Sequence, residues 1–424
     1  MARLQTDMVH ELVLGKFRLL RHLGDGGVGP VYLGRRENVR ADDLSARVLV
    51  KLIPKLGSAE LVEAVRSEVD RLRKIRHPAV AEIIEFGEED RSHFLITEYV
   101  HGFSLKEWSA FVRDSRGAFP TEIAIQVVID ALHALHSAHT ARGSGGQNLG
   151  ITHRDLMPSN VMISVEGAIK LIDFGIARVV SEGTAVMDPS LLDKFAYLTP
   201  ELVGNTKPGP PSDVYQMGLL LHVLLVGENP FAEGSLPATL SAVMTRQPSS
   251  VDSQRSDLPA GLGEVISKAL EKKPADRFQT AVELAGALEK LRLGTAEEIR
   301  GKLADLVAQD FRSPAMASSV GAVSLEDREA SLASAPKPEP GRKPRSSRPS
   351  TEERVRARFS AAGEVRGRPR RDQPVVWKSA PSVEPPRMSE PPRRKKSSNN
   401  SLATLGLLAV VVLGLALALV LMLR

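Results

Sequence analysis

The chain has 424 residues, enough for two or three domains or one larger domain with tails. It contains no cysteine, which excludes disulfides, thiolate metal sites and a cysteine nucleophile, and fits a reducing compartment. The net charge of +5 is segregated: residues 312–400 carry roughly twice as many basic as acidic side chains, while the sequence before them is slightly acidic. The basic character therefore belongs to a linker and argues against a specific nucleic-acid-binding face.

Residues 1–16 read as an N-terminal extension. They lack a basic region followed by an apolar run, so no secretory signal is expected and the next domain is expected in the cytosol. The apolar residues among 8–14 carry no reading. Short alternating apolar runs then predict strands over 17–23, 31–35, 48–53, 83–86 and 93–99, with a helix expected over 59–75. From residue 121 onward helical stretches dominate, including 123–139, 214–226 and 263–270. Strands first and helices later predict an α+β unit, with a small sheet-rich lobe followed by a larger helical one.

Gly24, Asp25, Gly26, Gly27, Val28 and Gly29 form a glycine cluster. In a dinucleotide-binding fold the last glycine would open a helix; here Pro30 follows and Val31 resumes a strand. The pattern predicts a hairpin whose tip lies over phosphates, because Gly24, Gly26 and Gly29 have no side chains to block approach. A strand carrying Lys51 and a helix carrying Glu68 follow. At these residues the sequence resembles the protein-kinase superfamily, and the spacing from Glu68 to His77 and Pro78 is similar to that of bacterial Ser/Thr kinases. The resemblance implies a bilobal kinase fold and an ion pair between Lys51 and Glu68, with Lys51 gripping the ATP phosphates. It also implies that Thr97 is the gatekeeper, and that the Glu98 carbonyl and the Val100 amide receive the adenine edge.

The segment His153, Arg154, Asp155, Leu156, Met157, Pro158, Ser159, Asn160, followed by Asp173, Phe174 and Gly175, is the strongest signal. Phosphoryl transfer needs a carboxylate to orient and deprotonate the attacking hydroxyl, and metal to neutralise the phosphates. Asp155 suits the base, and Asn160 and Asp173 supply hard oxygen ligands for Mg²⁺ or Mn²⁺. By resemblance Glu201 ends the activation segment, Arg277 is its buried partner, and Asp213 braces the catalytic loop. The resemblance covers residues 17–293.

Two positions depart from the family pattern. Met157 stands where a lysine usually steadies the transferring phosphoryl group. Lys194 stands where a threonine usually bonds the catalytic loop. Lys194 is expected to reach Asp155 and the γ-phosphate in place of the missing lysine. Arg154 implies control by negative charge in the activation segment, with Ser181, Thr184 and Ser190 as candidate phosphosites and Asp188 or Asp193 as fixed alternatives. Extra length over 140–149 reads as a surface loop. His133, His136 and His139 recur on a predicted helix and read as helix content and not as a metal site.

Beyond the domain, residues 294–311 carry Ile299, Leu303, Leu306 and Val307 at helical spacing, which predicts an amphipathic helix packed on the domain or kept for a partner. Residues 312–400 read as a disordered Pro/Ser/Arg-rich linker. Residues 402–423 form an apolar run long enough to span a bilayer, preceded by Arg393, Arg394, Lys395 and Lys396. Those cations are expected to remain cytoplasmic and to meet anionic lipid headgroups. The expected protein is a single-pass cell-membrane Ser/Thr kinase with a cytoplasmic catalytic domain, ATP and Mg²⁺ as cofactors, protein substrates, autophosphorylation and a kinase dimer among its associations. The rival reading is a membrane-tethered pseudokinase scaffold.

Overall fold

Strand parity decides which residues of the first sheet face the site. In a strand, successive side chains point to opposite faces, so residues two apart share one. Val48, Val50 and Leu52 join Phe17, Leu19, Phe94 and Ile96 in a core on one face of the sheet. The alternate residues Leu49, Lys51 and Ile53, with Leu95 and Thr97, line a cleft on the other. Lys51 thus reaches the cleft because it interrupts a run of apolar residues at a site-facing position.

The structure is a computed structural model and describes residues 13–25, 29–37, 39, 44–53, 56, 58–89, 92–175, 192–313 and 316. The first sheet is built from β1 (Val13–Leu14), β2 (Phe17–Asp25), β3 (Pro30–Arg36), β4 (Arg47–Ile53), β5 (Ile83–Glu89) and β6 (Ser92–Glu98), in the order β1-β2-β3-β4-β6-β5. All its pairings are antiparallel. Helix α1 (Ala59–Leu72) starts where the Ser58 side chain accepts a bond from the Leu61 amide, and buries Val65, Val69 and Leu72. A three-stranded sheet of β7 (Gly102–Ser104), β8 (Val161–Ser164) and β9 (Ile169–Leu171) follows on the other side of the cleft.

The helical lobe contains α2 (Leu105–Arg116), α3 (Thr121–His139), α4 (Leu192–Phe195), α5 (Pro200–Val203), α6 (Pro210–Val226), α7 (Leu236–Thr245), α8 (Leu262–Ala269), α9 (Ala281–Glu289) and α10 (Ala296–Phe311). α3 and α6 are buried almost all round and form its centre, as expected for helices that are apolar on every face. Gly218 of α6 allows close approach to α8: an added Cβ would lie 2.7 Å from the Ala269 Cβ.

Three observations sharpen the sequence reading. The apolar residues before 17 include a short strand, β1, and Leu14 is buried in the sheet core. Residues 140–149 turn back on themselves, with Arg142 bridged to Asn148 and the Leu149 amide donating to the Ala141 carbonyl at 2.9 Å. α10 packs on the domain: Ile299, Leu303 and Val307 are fully buried, and Asp310 accepts from Trp108 Nε1 at 2.9 Å and from both Arg116 terminal nitrogens. Of the two alternatives for this helix, the domain-packed one holds. Gly26, Gly27 and Val28, the candidate phosphosites, the linker apart from residues 312, 313 and 316, and the apolar run 402–423 lie outside the described residues. Among those described, no helix is long and apolar enough to cross a membrane.

Candidate active site

The cleft between the lobes has a volume of about 650 Å³ and is lined by Leu49, Lys51, Thr97, Glu98, Val100 and Asp173 among others. Asp173 follows β9 and lines the cleft, while Asp155 and Asn160 lie in the loop just before β8. Asp213, at the start of α6, organises that loop. Its carboxylate accepts from the His153 and Arg154 amides at 2.9 and 3.0 Å and pairs with His139 Nε2 at 2.7 Å. Burial acts to raise the Asp213 pKa, but the His139 bond and charge, the Arg154 amide and His153 together outweigh it and hold the group below the usual carboxylate range. This braces Arg154 at φ 67°, a conformation costly for a non-glycine residue. His139 is thereby spent on Asp213, while His133 meets Glu289 at 3.1 Å.

Asn160 Nδ2 donates to the Asp155 carbonyl at 2.6 Å and to its Oδ2 at 3.1 Å, turning the Asn160 amide oxygen away from that carboxylate. Burial raises the Asp155 pKa, opposed by electrostatic attraction from His153 and Lys194. The charge of Lys194, on α4, therefore bears on the candidate base. Phe174 packs on the His153 ring with centroids 4.3 Å apart, and Asp173 is held at φ 64°.

The expected Lys51–Glu68 pair is not formed. Lys51 Nζ pairs with Asp173 Oδ1, and Glu68 pairs with Arg71. The reason is local: residues three apart on a helix share a face, and Arg71 is additionally fixed by donating to the Leu149 carbonyl at 2.9 Å. Glu68 nevertheless stays beside the site, since a Cβ on Gly175 would lie 3.9 Å from its Oε1. Glu201 and Arg277 meet in a buried two-pronged pair at 2.8 and 2.9 Å, as expected.

A family profile described as "Protein kinase domain" matches residues 17–286. The chain belongs to the protein kinase domain family. It is similar to the Ser/Thr-protein kinase PknB of Mycobacterium leprae, at 32% identity over 289 residues, covering 67% of this chain and 44% of that protein. PrkC of Bacillus subtilis, also named a Ser/Thr-protein kinase, is 30% identical over 282 residues, covering 65% and 40%. MasK of Myxococcus xanthus, named a tyrosine-protein kinase, is 30% identical over 277 residues, covering 65% and 43%. The chain thus spans less than half the length of these relatives. The crystal structure of the PknI kinase domain of Mycobacterium tuberculosis aligns with a TM-score of 0.52 at 24% identity, covering 67% of this chain and 98% of that one, which speaks for the fold.

Protein kinase domains in general use ATP and a divalent metal. The donor set fits: Asp173 presents a carboxylate oxygen not bonded to Lys51, and the Asn160 amide oxygen is oriented by its own Nδ2 bonds. Hard oxygens from one carboxylate and one amide, with phosphate oxygens completing the shell, suit Mg²⁺. At the adenine end, the Glu98 side chain is drawn off to Lys170 Nζ, 2.6 Å away, and Val100 is buried. Met157, at the kinase lysine position, is 6% exposed, whereas Lys194 is exposed.

Sequence reasoning missed three residues of the kinase site. Arg71 could have been found from its spacing to Glu68. Lys170 and Gln216 gave no local signal, because their partners come from distant parts of the chain.

Proposed function

We propose that this chain transfers the γ-phosphoryl group of ATP to Ser or Thr hydroxyls of proteins, with Mg²⁺, at the cytoplasmic face of a membrane. The observation that carries the reading is the chain of contacts in which Asn160 bonds the Asp155 carboxylate at 3.1 Å, Asp155 feels the charge of Asp173, and Asp173 lines the cleft and pairs with Lys51. The Asp155 carboxylate accepts the proton of the acceptor hydroxyl as its oxygen attacks the γ-phosphorus, and the bond to the bridging oxygen of the departing ADP breaks. Asn160 and Asp173 would hold Mg²⁺, which would neutralise phosphate charge. Lys51 leaves Asp173 for the phosphates, and Glu68 leaves Arg71 to steady Lys51. Lys194 supplies the cation that Met157 lacks.

Residues 402–423 and the cations Arg393–Lys396 support anchoring from their sequence character alone. Arg154, whose Nε donates to Thr152 at 2.8 Å, is the proposed partner of a phosphate on Ser181, Thr184 or Ser190. A nucleotide-binding scaffold without transfer is the second reading, favoured by Met157 and by the Glu68–Arg71 pair.

One assay separates them. The full chain is given γ-labelled ATP, Mg²⁺ and a generic acceptor, beside an Asp155→Asn control, and the labelled amino acid is identified. Label on Ser or Thr that disappears in the control is expected. Bound nucleotide without transfer sinks the kinase reading, and label on Tyr alone sinks the Ser/Thr assignment. Detergent-dependent extraction that is lost on deleting 402–423 is expected for the anchor; unchanged extraction overturns it.

A further inference from the structure

Gln216 is a polar side chain in the most buried helix of the domain. It lies three residues after Asp213, is 1% exposed, and is flanked by the fully buried Tyr215 and Met217. An amide left unpaired in such a place is costly, so its partners matter. Gln216 Oε1 accepts from the Leu156 amide at 3.3 Å, and Nε2 donates to the Tyr197 carbonyl at 2.9 Å, with a longer approach of 3.5 Å to the Arg154 carbonyl. Arg154 and Leu156 are the two neighbours of Asp155. Tyr197 closes the turn that begins at Lys194, its amide donating to the Lys194 carbonyl at 3.0 Å.

One amide therefore joins the loop carrying the base to the turn carrying the cation. Among the described residues no other side chain is bonded to both segments. We propose that Gln216 is a positioning residue for phosphoryl transfer, setting the separation of Asp155 and Lys194 by pinning their backbones to one rigid helix. The inference rests on the kinase reading above. Met157 is apolar and offers no hydrogen bond of this kind, and the exposed Lys194 is located through its own backbone. A group that fixes reacting geometry acts on the transfer step, whereas the nucleotide is gripped by other elements.

The test compares the full chain with Gln216→Met, which keeps the length without the bonds, and Gln216→Glu, which keeps the acceptor for Leu156 but donates only when protonated. Gln216→Met is expected to lower kcat about tenfold or more with the nucleotide KM within about twofold. Backbone amide exchange, measured with nucleotide bound, should quicken in the fragments around 154–157 and 194–199 together. In Gln216→Glu, kcat should fall with rising pH through a titration that the parent chain lacks, because deprotonation removes the donor to Tyr197 and sets a carboxylate against two carbonyls. Unchanged exchange in either fragment overturns the inference, as does a Gln216→Met kcat within about twofold of the parent. A parent chain that binds nucleotide but transfers no phosphate counts against the kinase reading instead, and the exchange measurement still decides whether Gln216 joins the two segments.

Discussion

Glu68 and Arg71 face each other across one turn of α1, and Arg71 in turn holds the Leu149 carbonyl at 2.9 Å. The pair links the helix beside the nucleotide cleft to the inserted turn before the catalytic loop. Since phosphate binding by Lys51 gains from a nearby carboxylate, Arg71 competes for the same group. The pair is partly exposed, so its net worth is about 0.2–1 kcal/mol. Arg71→Ala should therefore lower the nucleotide KM up to about fivefold, while Lys51→Ala should abolish transfer. A KM that rises in Arg71→Ala would mean that Arg71 supports Glu68 and does not divert it.

The Lys194 substitution hypothesis makes a paired prediction. Lys194→Ala should reduce kcat by about 10²–10³, the scale of losing one preorganised charge at the transferring group. Adding Met157→Lys to that variant should restore about tenfold or more, since it returns a cation to the loop. Steady-state phosphate transfer by the single and double variants checks both. An unaffected Lys194→Ala enzyme would sink the hypothesis.

Acid should switch off transfer at a higher pH than an ordinary aspartate would dictate. In the proposed reaction transfer needs the Asp155 carboxylate, and burial raises its pKa, so protonation on lowering the pH removes the base earlier. Lys194 opposes that rise. Its removal should move the acid limb of the kcat/KM profile further up, readable in whatever activity remains. A limb that stays in place in Lys194→Ala would separate the two charges.

Much of this site is legible in the chain's residue order. The alternation around Lys51 puts it on the cleft face, and the segments around Asp155 and Asp173 supply the proposed base and metal ligands by residue type and order. What escaped has a common physical cause. Gln216 and Leu156 are 60 residues apart, and Arg71 and Leu149 are 78 apart, so their meaning exists only once the chain has folded. β1 is two residues long, too short for any period to show. α10 displayed its apolar stripe, but a stripe does not say what covers it.

The Glu201–Arg277 pair should be the most sensitive point of the helical lobe. The two side chains are 4% and 0% exposed, and removing one partner strands the other. Glu201→Gln or Arg277→Met should cost about 3–5 kcal/mol in denaturant unfolding. Burial acts to raise the Glu201 pKa, but its bonds to Arg277 and Ser212 and the Arg277 charge together prevail and lower it. A carboxyl depressed on folding stabilises fully above its unfolded pKa of about 4.3. That stabilisation fades as the pH falls through the depressed native value, so stability should drop in acid below about pH 4 and drop less in Glu201→Gln.

The seal made by α10 is equally testable. Gly167 has φ 79°, and an added Cβ would stand 2.8 Å from the Ala304 Cα. Gly167→Ala should loosen α10 and expose the 293–296 connection to protease while leaving nucleotide binding in place. Equal protease resistance in the two chains would show that the helix adapts.

The family match stops at residue 286, whereas Trp108 and Arg116 find their carboxylate partner at Asp310. Phe311 also rests on His101, with ring centroids 4.9 Å apart, just past the segment joining the lobes. The border of the common family profile and the packing of the domain therefore fall at different places. A chimera that swaps only the family-common portion would inherit a lobe with an open flank. Modular exchange should respect the border after Phe311.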